Sequence, residues 1–149
     1  MDQKPVIILL AGPTASGKSK LAMELSKVLN GEIINTDSMQ VYKELRVLTS
    51  RPTNVDERKA KHHLYGFVSV KNKFSTGTWL NLATEKIKSI LKKNKIPILV
   101  GGTGLYFKAM IDGLAKIQNI TKHQRAKIRN YHKKIGQKRF YKKLLKLDP

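Results

Sequence analysis

Gly12-Pro13-Thr14-Ala15-Ser16-Gly17-Lys18-Ser19 is the stretch whose reading decides the fold. It matches G-x-x-x-x-G-K-[ST], and each residue type has a task. The glycines let the backbone wrap with its N–H groups turned toward phosphate oxygens. A following helix adds its positive N-terminal end. Lys18 brings a mobile cation, and Ser19 can ligate Mg²⁺. The flanks agree with the loop. Before it, Val6-Ile7-Ile8-Leu9-Leu10 has no polar alternation, which predicts a strand buried on both faces of a parallel sheet. After it, Leu21, Ala22, Leu25, Val28 and Leu29 recur at helical spacing, and Gly31 is expected to end that helix. Glu32-Ile33-Ile34-Asn35-Thr36-Asp37 then reads as a second strand closing on an acid. Strand, glycine loop, helix and strand make a βαβ unit.

Farther along, residues 43–65 are polar, contain Pro52, and read as loop with room for a short helix. Gly66 to Val70 is expected as a short strand. Trp79, Leu82, Ala83, Ile87, Ile90 and Leu91 share one helical face, opposite a row of lysines. Ile96 to Val100 is a third apolar strand, running into Gly101-Gly102-Thr103-Gly104 and a helix from Leu105 to Ile111. Beyond Gly113 the composition changes. Thr121-x-x-Gln124 is a capping-box pattern. It opens a helix with Ile128, Tyr131 and Ile135 on one face and Arg125, Arg129 and His132 on another. Gly136 is expected to stop it. A second helix, about Lys138 to Leu147, is expected to bury Phe140, Leu144 and Leu145 or Leu147. The domain reading is an α/β core over 1–113 and a basic helical module over 114–149.

Composition limits the function. The chain has 149 residues and a net charge of +20. That length is enough to hide about 70% of the unfolded surface, and 40% hydrophobic content argues against disorder. The absence of cysteine excludes disulfide frameworks and thiolate metal sites. The longest apolar run, Val6 to Ala11, is too short to cross a bilayer. A cytoplasmic protein without a membrane segment or signal peptide is the expectation. The charge has two readings. It points to a polyanionic partner such as nucleic acid, or it reflects compositional drift, since 24 of the 30 basic residues are lysine. Its distribution is uneven: residues 116–149 carry 12 basic groups and one acid, so more than half of the net charge lies there.

Ligands of doubly wound sheets bind at the carboxyl ends of the strands. Asp37, the phosphate loop and the Gly101–Gly104 turn are therefore expected to meet in one crevice. An ATPase would normally offer a strand-end acid for Mg²⁺, but the third strand ends in glycines. From position alone Asp37 is a general base, a magnesium ligand or a helix N-cap.

At this point the residues carry a resemblance. The loop Gly12–Ser19, then Asp37-Ser38-Met39-Gln40-Val41-Tyr42, then His62-His63-Leu64, then Val100-Gly101-Gly102-Thr103-Gly104-Leu105-Tyr106 resemble, in order and spacing, the signature series of the tRNA dimethylallyltransferases, also called tRNA isopentenyltransferases. The resemblance implies a P-loop NTPase-like three-layer α/β core followed by the start of a basic helical insertion. It implies transfer of a dimethylallyl group from dimethylallyl diphosphate to N6 of the adenosine 3′ of the anticodon. The loop Gly12, Pro13, Thr14, Ala15, Ser16, Gly17, Lys18 and Ser19, with Mg²⁺ on Ser19, would hold the departing diphosphate without nucleotide hydrolysis. The target base would have to leave its stack. Asp37 would take a proton or hydrogen bond from the N6 amine. Ser38, Met39 and Gln40 would lie beside it at the anticodon arm of the tRNA. Thr103 would stand near the reacting groups, and Arg125 would meet the tRNA. The complete form is expected to act as a monomer.

Two departures stand out. Where the resembling family has Gly-Thr-Ala-Lys-Pro-Thr, this chain has Leu48-Thr49-Ser50-Arg51-Pro52-Thr53, so leucine replaces a glycine and arginine keeps the cation. Family members are also much longer and continue with an Asn-Asp-x-x-Arg-x-x-Arg segment, so this chain is expected to be a fragment with weak or no activity alone. His62-His63 is not expected to bind metal, since no cysteine or carboxylate lies nearby in sequence. Two other functions compete: a P-loop small-molecule or nucleotide kinase, marked by an acceptor pocket and a lid arginine, and a non-catalytic RNA-binding remnant, which needs the basic helices alone.

Overall fold

A computed structural model describes residues 5–115 and 120–148. Residues 1–4, 116–119 and 149, which the expected domain spans include, lie outside the described residues. The chain divides into two compact units, Met1–Leu114 and Ala115–Pro149.

The first unit is built on a parallel sheet. Strand β1 is Ile8–Ala11, helix α1 Lys18–Val28, strand β2 Gly31–Asn35, helix α2 Asn54–Lys59 and strand β3 His62–His63. Helix α3 is Thr76–Leu91, strand β4 Ile96–Gly101 and helix α4 Gly104–Asp112. The sheet order is β1-β4-β2-β3, with every pairing parallel. Successive residues of a strand face opposite ways, and this creates two cores. Ile33, Ile98 and Val100 turn to one face and pack with Ala22 of α1. Ile34 and Leu99 turn to the other and pack with Trp79, Ala83, Ile87 and Ile90 of α3 and with Tyr106 and Phe107 of α4. The result is three layers, helix–sheet–helix, with the apolar stripe of α3 where its spacing places it. Trp79 is fully buried. Its indole donates to the Asn35 carbonyl at 2.9 Å and stacks on Tyr106 at 4.2 Å between ring centroids.

Several expectations need correction. The run 6–10 is not a strand buried on both faces. Among the described residues β1 pairs with β4 alone and is packed on one face, through Ile8 and Leu10, so its residues alternate between half-buried and exposed. The helix before β2 is ended not by Gly31 but by Asn30, which takes the left-handed backbone at φ 51°. Gly31 instead opens β2, where a Cβ would lie 2.7 Å from an Ile98 side-chain carbon. Within α1, Ala22 and Ser26 are buried, whereas Leu21 and Val28 lie on a different stripe and are exposed. Residues 66–70 form no strand; Tyr42 and Val68 make a single parallel bridge. The segment 43–65 holds the short helix it had room for, α2, opened by a Thr53–Asp56 capping box, and also the unexpected two-residue strand β3. Ile96–Gly101 is therefore the fourth strand.

In the second unit, helix α5 spans Lys122–Leu144 and opens with the expected Thr121–Gln124 capping box. Gly136 breaks it at φ 76°, ψ 160°. A continuous helix would hold residues 131 and 143 about 18 Å apart along its axis. Instead the Lys143 ammonium hydrogen-bonds the Tyr131 hydroxyl, and the Tyr131 and Phe140 rings lie 6.3 Å apart. The chain therefore folds back at Gly136 into a short helical hairpin. None of its residues is buried: Phe140 is half-buried, and Leu144, Leu145 and Leu147 are exposed. The expected burial of Leu144 and of Leu145 or Leu147 is not met, since among the described residues no apolar surface covers them.

Candidate functional site

β1 delivers the chain into the loop 12–17, which turns on two left-handed residues, Ala15 (φ 62°) and Gly17 (φ 82°). Gly17 caps α1 without any side-chain hydrogen bond, so the first N–H groups of α1 have no side-chain acceptor. Such an end is suited to an anion. The Lys18 ammonium folds over the loop, donating to the Pro13 carbonyl and to Ser16 Oγ, the latter at 3.3 Å. Gly12 makes room for this, since a Cβ there would lie 3.3 Å from Ser16 Oγ and 3.5 Å from the Lys18 chain. Ser19 is exposed at the second position of α1.

Asp37 follows β2 and is held by its neighbours. The Asn35 side chain accepts from the Asp37 N–H at 2.9 Å and donates to the carbonyls of Asp37 at 2.9 Å and Leu64 at 3.0 Å. Asp37 Oδ1 accepts the Met39 N–H at 2.8 Å. The turn after β4 presses against the same place. Gly101 lies so close to residues 36 and 37 that a Cβ would stand 2.1 Å from the Thr36 carbonyl oxygen. Thr103 donates its N–H to Thr36, accepts the Ser38 N–H on Oγ1 at 2.9 Å, and has its hydroxyl 3.3 Å from Ser38 Oγ. A Cβ on Gly102 would meet the Gly12 carbonyl oxygen at 3.4 Å and Asp37 Oδ2 at 3.9 Å. Loop, Asp37, Ser38 and Thr103 thus come together at the carboxyl ends of β1, β2 and β4. Two phenols sense the carboxylate. Burial first, then the charge of Asp37, pushes Tyr65 above the usual tyrosine range. Burial, with Tyr42 and Asp37 adding to it, pushes Tyr106 up to about 12.

Met39 is exposed, whereas Gln40 is half-buried and donates its amide to the Thr49 carbonyl at 2.8 Å. That bond ties the expected contact segment to the loop 45–51. Arg51 ties the same loop from the other side. Its guanidinium donates to the Tyr42 carbonyl at 3.0 Å and packs over Gly66, where a Cβ would fall 1.6 Å from Nη1. Arg51 Nε is buried without a partner among the described residues. A cavity of about 610 Å³ opens beside it, lined by Ser19, Ala22, Ile33, Arg51, Tyr65 and Val100 among others. Asn35, Trp79 and Arg51 were not singled out for the site in the sequence. An amide at the end of an apolar strand was the available signal for Asn35, and it is too common a residue to decide anything alone.

His62 and His63 face different partners. His62 Nδ1 bonds the Ala60 carbonyl at 2.8 Å, and His63 Nε2 meets Glu32 Oε2 at 2.7 Å. Arg125 belongs to the second unit, exposed on the first turn of α5 after Thr121. No helix among the described residues is long and apolar enough to cross a membrane.

These features define a class: a phosphate-loop α/β protein with a P-loop NTPase-like sheet and a carboxylate and a threonine at the neighbouring strand ends. The comparisons narrow it. The model of the IPP transferase family matches residues 40–149, and the chain belongs to that family. It is 60% identical over its whole length to the tRNA dimethylallyltransferase of Pelagibacter ubique (strain HTCC1062), of which it covers 48%. It is 51% identical over 96% of its length to that of Rickettsia massiliae (strain Mtu5), covering 39%. The chain thus spans about half the length, or less, of these curated relatives. Among solved structures, the full-length tRNA isopentenylpyrophosphate transferase of Bacillus halodurans superposes with a TM-score of 0.74 at 35% identity, covering 98% of this chain and 48% of that one. A eukaryotic dimethylallyltransferase acting on tRNA gives 0.74 at 30% identity, over 81% of this chain and 31% of that one.

Proposed function

We propose that this chain is the donor-binding portion of an enzyme that transfers a dimethylallyl group from dimethylallyl diphosphate to N6 of the adenosine 3′ of a tRNA anticodon. The observation that carries the reading is the meeting of the loop 12–19 with Asp37 and Thr103 at one rim. The loop N–H groups and Lys18 take the diphosphate, and the uncapped start of α1 faces the same charge. The adenine N6 attacks C1 of the dimethylallyl group as the C1–O bond breaks. The electron pair leaves with the diphosphate, and the N6 proton passes to Asp37. Thr103, fixed by the Ser38 N–H, positions the segment that carries Asp37. Ser38, Met39 and Gln40 border the RNA; Gln40 does so with its amide already committed to Thr49. Ser19 is a hard oxygen donor of the kind Mg²⁺ combines with substrate phosphate oxygens. Mg²⁺ bound there would neutralise charge on the leaving diphosphate.

Residues 114–149 are read as the start of an RNA-contacting insertion, with Arg125 on the tRNA. The 149-residue chain alone is expected to bind diphosphate and to transfer weakly or not at all. A kinase reading has less support, since β4 ends in glycine where a Mg²⁺-holding acid would stand.

The test has two arms. Calorimetry with inorganic diphosphate and the 149-residue chain should show binding that Lys18→Ala removes and Asp37→Ala leaves nearly intact. In a chain completed with the C-terminal half of a full-length relative, Asp37→Ala should lower prenyl transfer by about a hundredfold or more. Full activity in that variant would sink the base role.

A further inference from the structure

The second unit contains a cleft that the roles above do not use. Because the chain reverses at Gly136, Phe140 returns to the face of the first helical segment, with its ring 4.9 Å from His132 at 86°. Between the two arms lies a cavity of about 600 Å³, lined by Lys122, Arg125, Arg129, His132, Lys133 and Phe140 among others. We propose that this cleft holds one unpaired RNA nucleotide, its base stacked on Phe140 and its flanking phosphates on Arg125 and Arg129. The proposal rests on reading the second unit as RNA-contacting and says which part of it reads what.

Three observations support it. First, Arg125, Arg129 and Lys133 follow one another at i, i+4, so they form a single row of cations about 6 Å apart along the helix. Like charges at that spacing destabilise a helix. No acid lies between Ala115 and Leu147 to offset them, and the three ion pairs found among the described residues all belong to the first unit. A bound polyanion would relieve the row. Second, drift toward lysine does not explain arginine. Only 6 of the chain's basic residues are arginine, and two of these line the cleft. A guanidinium forks onto phosphate and stacks on a base, which an ammonium does not. Third, the cations surround an aromatic ring. An acidic peptide would use the charges but not the ring, whereas a base offers a π-face to it. Helical RNA keeps its bases stacked within the duplex, so the occupant is a single-stranded segment.

The test uses the 149-residue chain and three probes: a single-stranded RNA heptamer, an RNA duplex of the same length, and polyglutamate. Fluorescence anisotropy across a salt series should show the heptamer binding more tightly than the duplex. Phe140→Leu should weaken the heptamer about five- to hundredfold and leave the duplex unchanged. Phe140→Tyr should bind as the parent does, which separates loss of stacking from loss of fold. Arg125→Gln and Arg129→Gln should each lower the salt slope by about 0.7. Heptamer binding that survives Phe140→Leu overturns the pocket and leaves the RNA-contacting module standing. Polyglutamate that competes as well as RNA of equal charge also overturns it. Absence of RNA binding by the parent chain removes both readings together.

Discussion

The two units obtain their structure by different means. In the first, Trp79, Ile33, Ile34, Ile98 and Leu99 are wholly enclosed, and even the charged Glu32 is 1% exposed. In the second, no residue of α5 is buried. What holds α5 is local: a capping box, an aromatic contact across the hairpin, and the Lys143 ammonium 5.1 Å from the centre of the Tyr131 ring. Packing fixes the first unit to a single arrangement and so holds the groups at its strand ends in set relative positions. The second unit leaves its cations in solvent and its Tyr131 and Phe140 rings half-buried.

The comparison can be broken most severely at Trp79. Trp79→Ala removes a buried ring, its stack on Tyr106 and the bond that fixes Asn35. It should destabilise the first unit by about 3–5 kcal/mol. Denaturant unfolding followed by Tyr65 and Tyr106 environment should register the loss, while the helicity of the second unit persists. If both units melt together in the variant, they are not independent in stability.

Acid should separate the units next. Burial lowers the His63 pKa, against the opposing pull of Glu32, and burial likewise lowers that of His62. A histidine with a depressed folded pKa is protonated more readily when unfolded. Stability should therefore fall as pH drops below about 6.5. Burial alone would raise Glu32, but hydrogen bonds from His63 and Lys95 outweigh it and hold the carboxyl below its usual range. Its contribution, present above about pH 4.3, is lost on further acidification. Thermal melts from pH 7.5 to 4 should show a falling midpoint for the first unit, and His63→Gln should flatten the upper part of that curve. A flat profile in the parent would remove the histidines from the account.

The smallest effect belongs to the second unit. Thr121→Ala removes one half of a capping box and should cost about 1 kcal/mol of helix stability. Circular dichroism should show reduced helicity over residues 122–135 with the first unit unaltered. Loss of diphosphate binding in that variant would contradict the division between the units.

What could be read in advance follows the same line. The βαβ start, α3 with its apolar stripe, and the run into Gly101 were legible because their patterns are local and repeat at helix or strand spacing. The octet 12–19 was legible because its residue types have few other uses together. The uncovered face of β1 was not, because an apolar strand reads the same whether one face or both are packed; only its neighbours decide. β3 was missed because two residues carry no period. The hold of Asn35 on Asp37, and of Gln40 and Arg51 on the loop 45–51, depends on contacts between segments with no sequence signature. The hairpin at Gly136 was half legible: the break was marked by glycine, but the reversal depends on Tyr131, Phe140 and Lys143 meeting across it.

The contact between Arg51 and Gly66 has a consequence for inheritance. A side chain at position 66 would occupy the space of the guanidinium, since its first carbon would overlap Nη1. The guanidinium is the far end of a flexible chain and can turn aside, but only by giving up its bond to the Tyr42 carbonyl. The left-handed φ of 53° at Gly66 adds a backbone cost that moving the arginine does not relieve. A lineage that enlarges residue 66 therefore loosens the loop 45–51 even when it keeps the arginine.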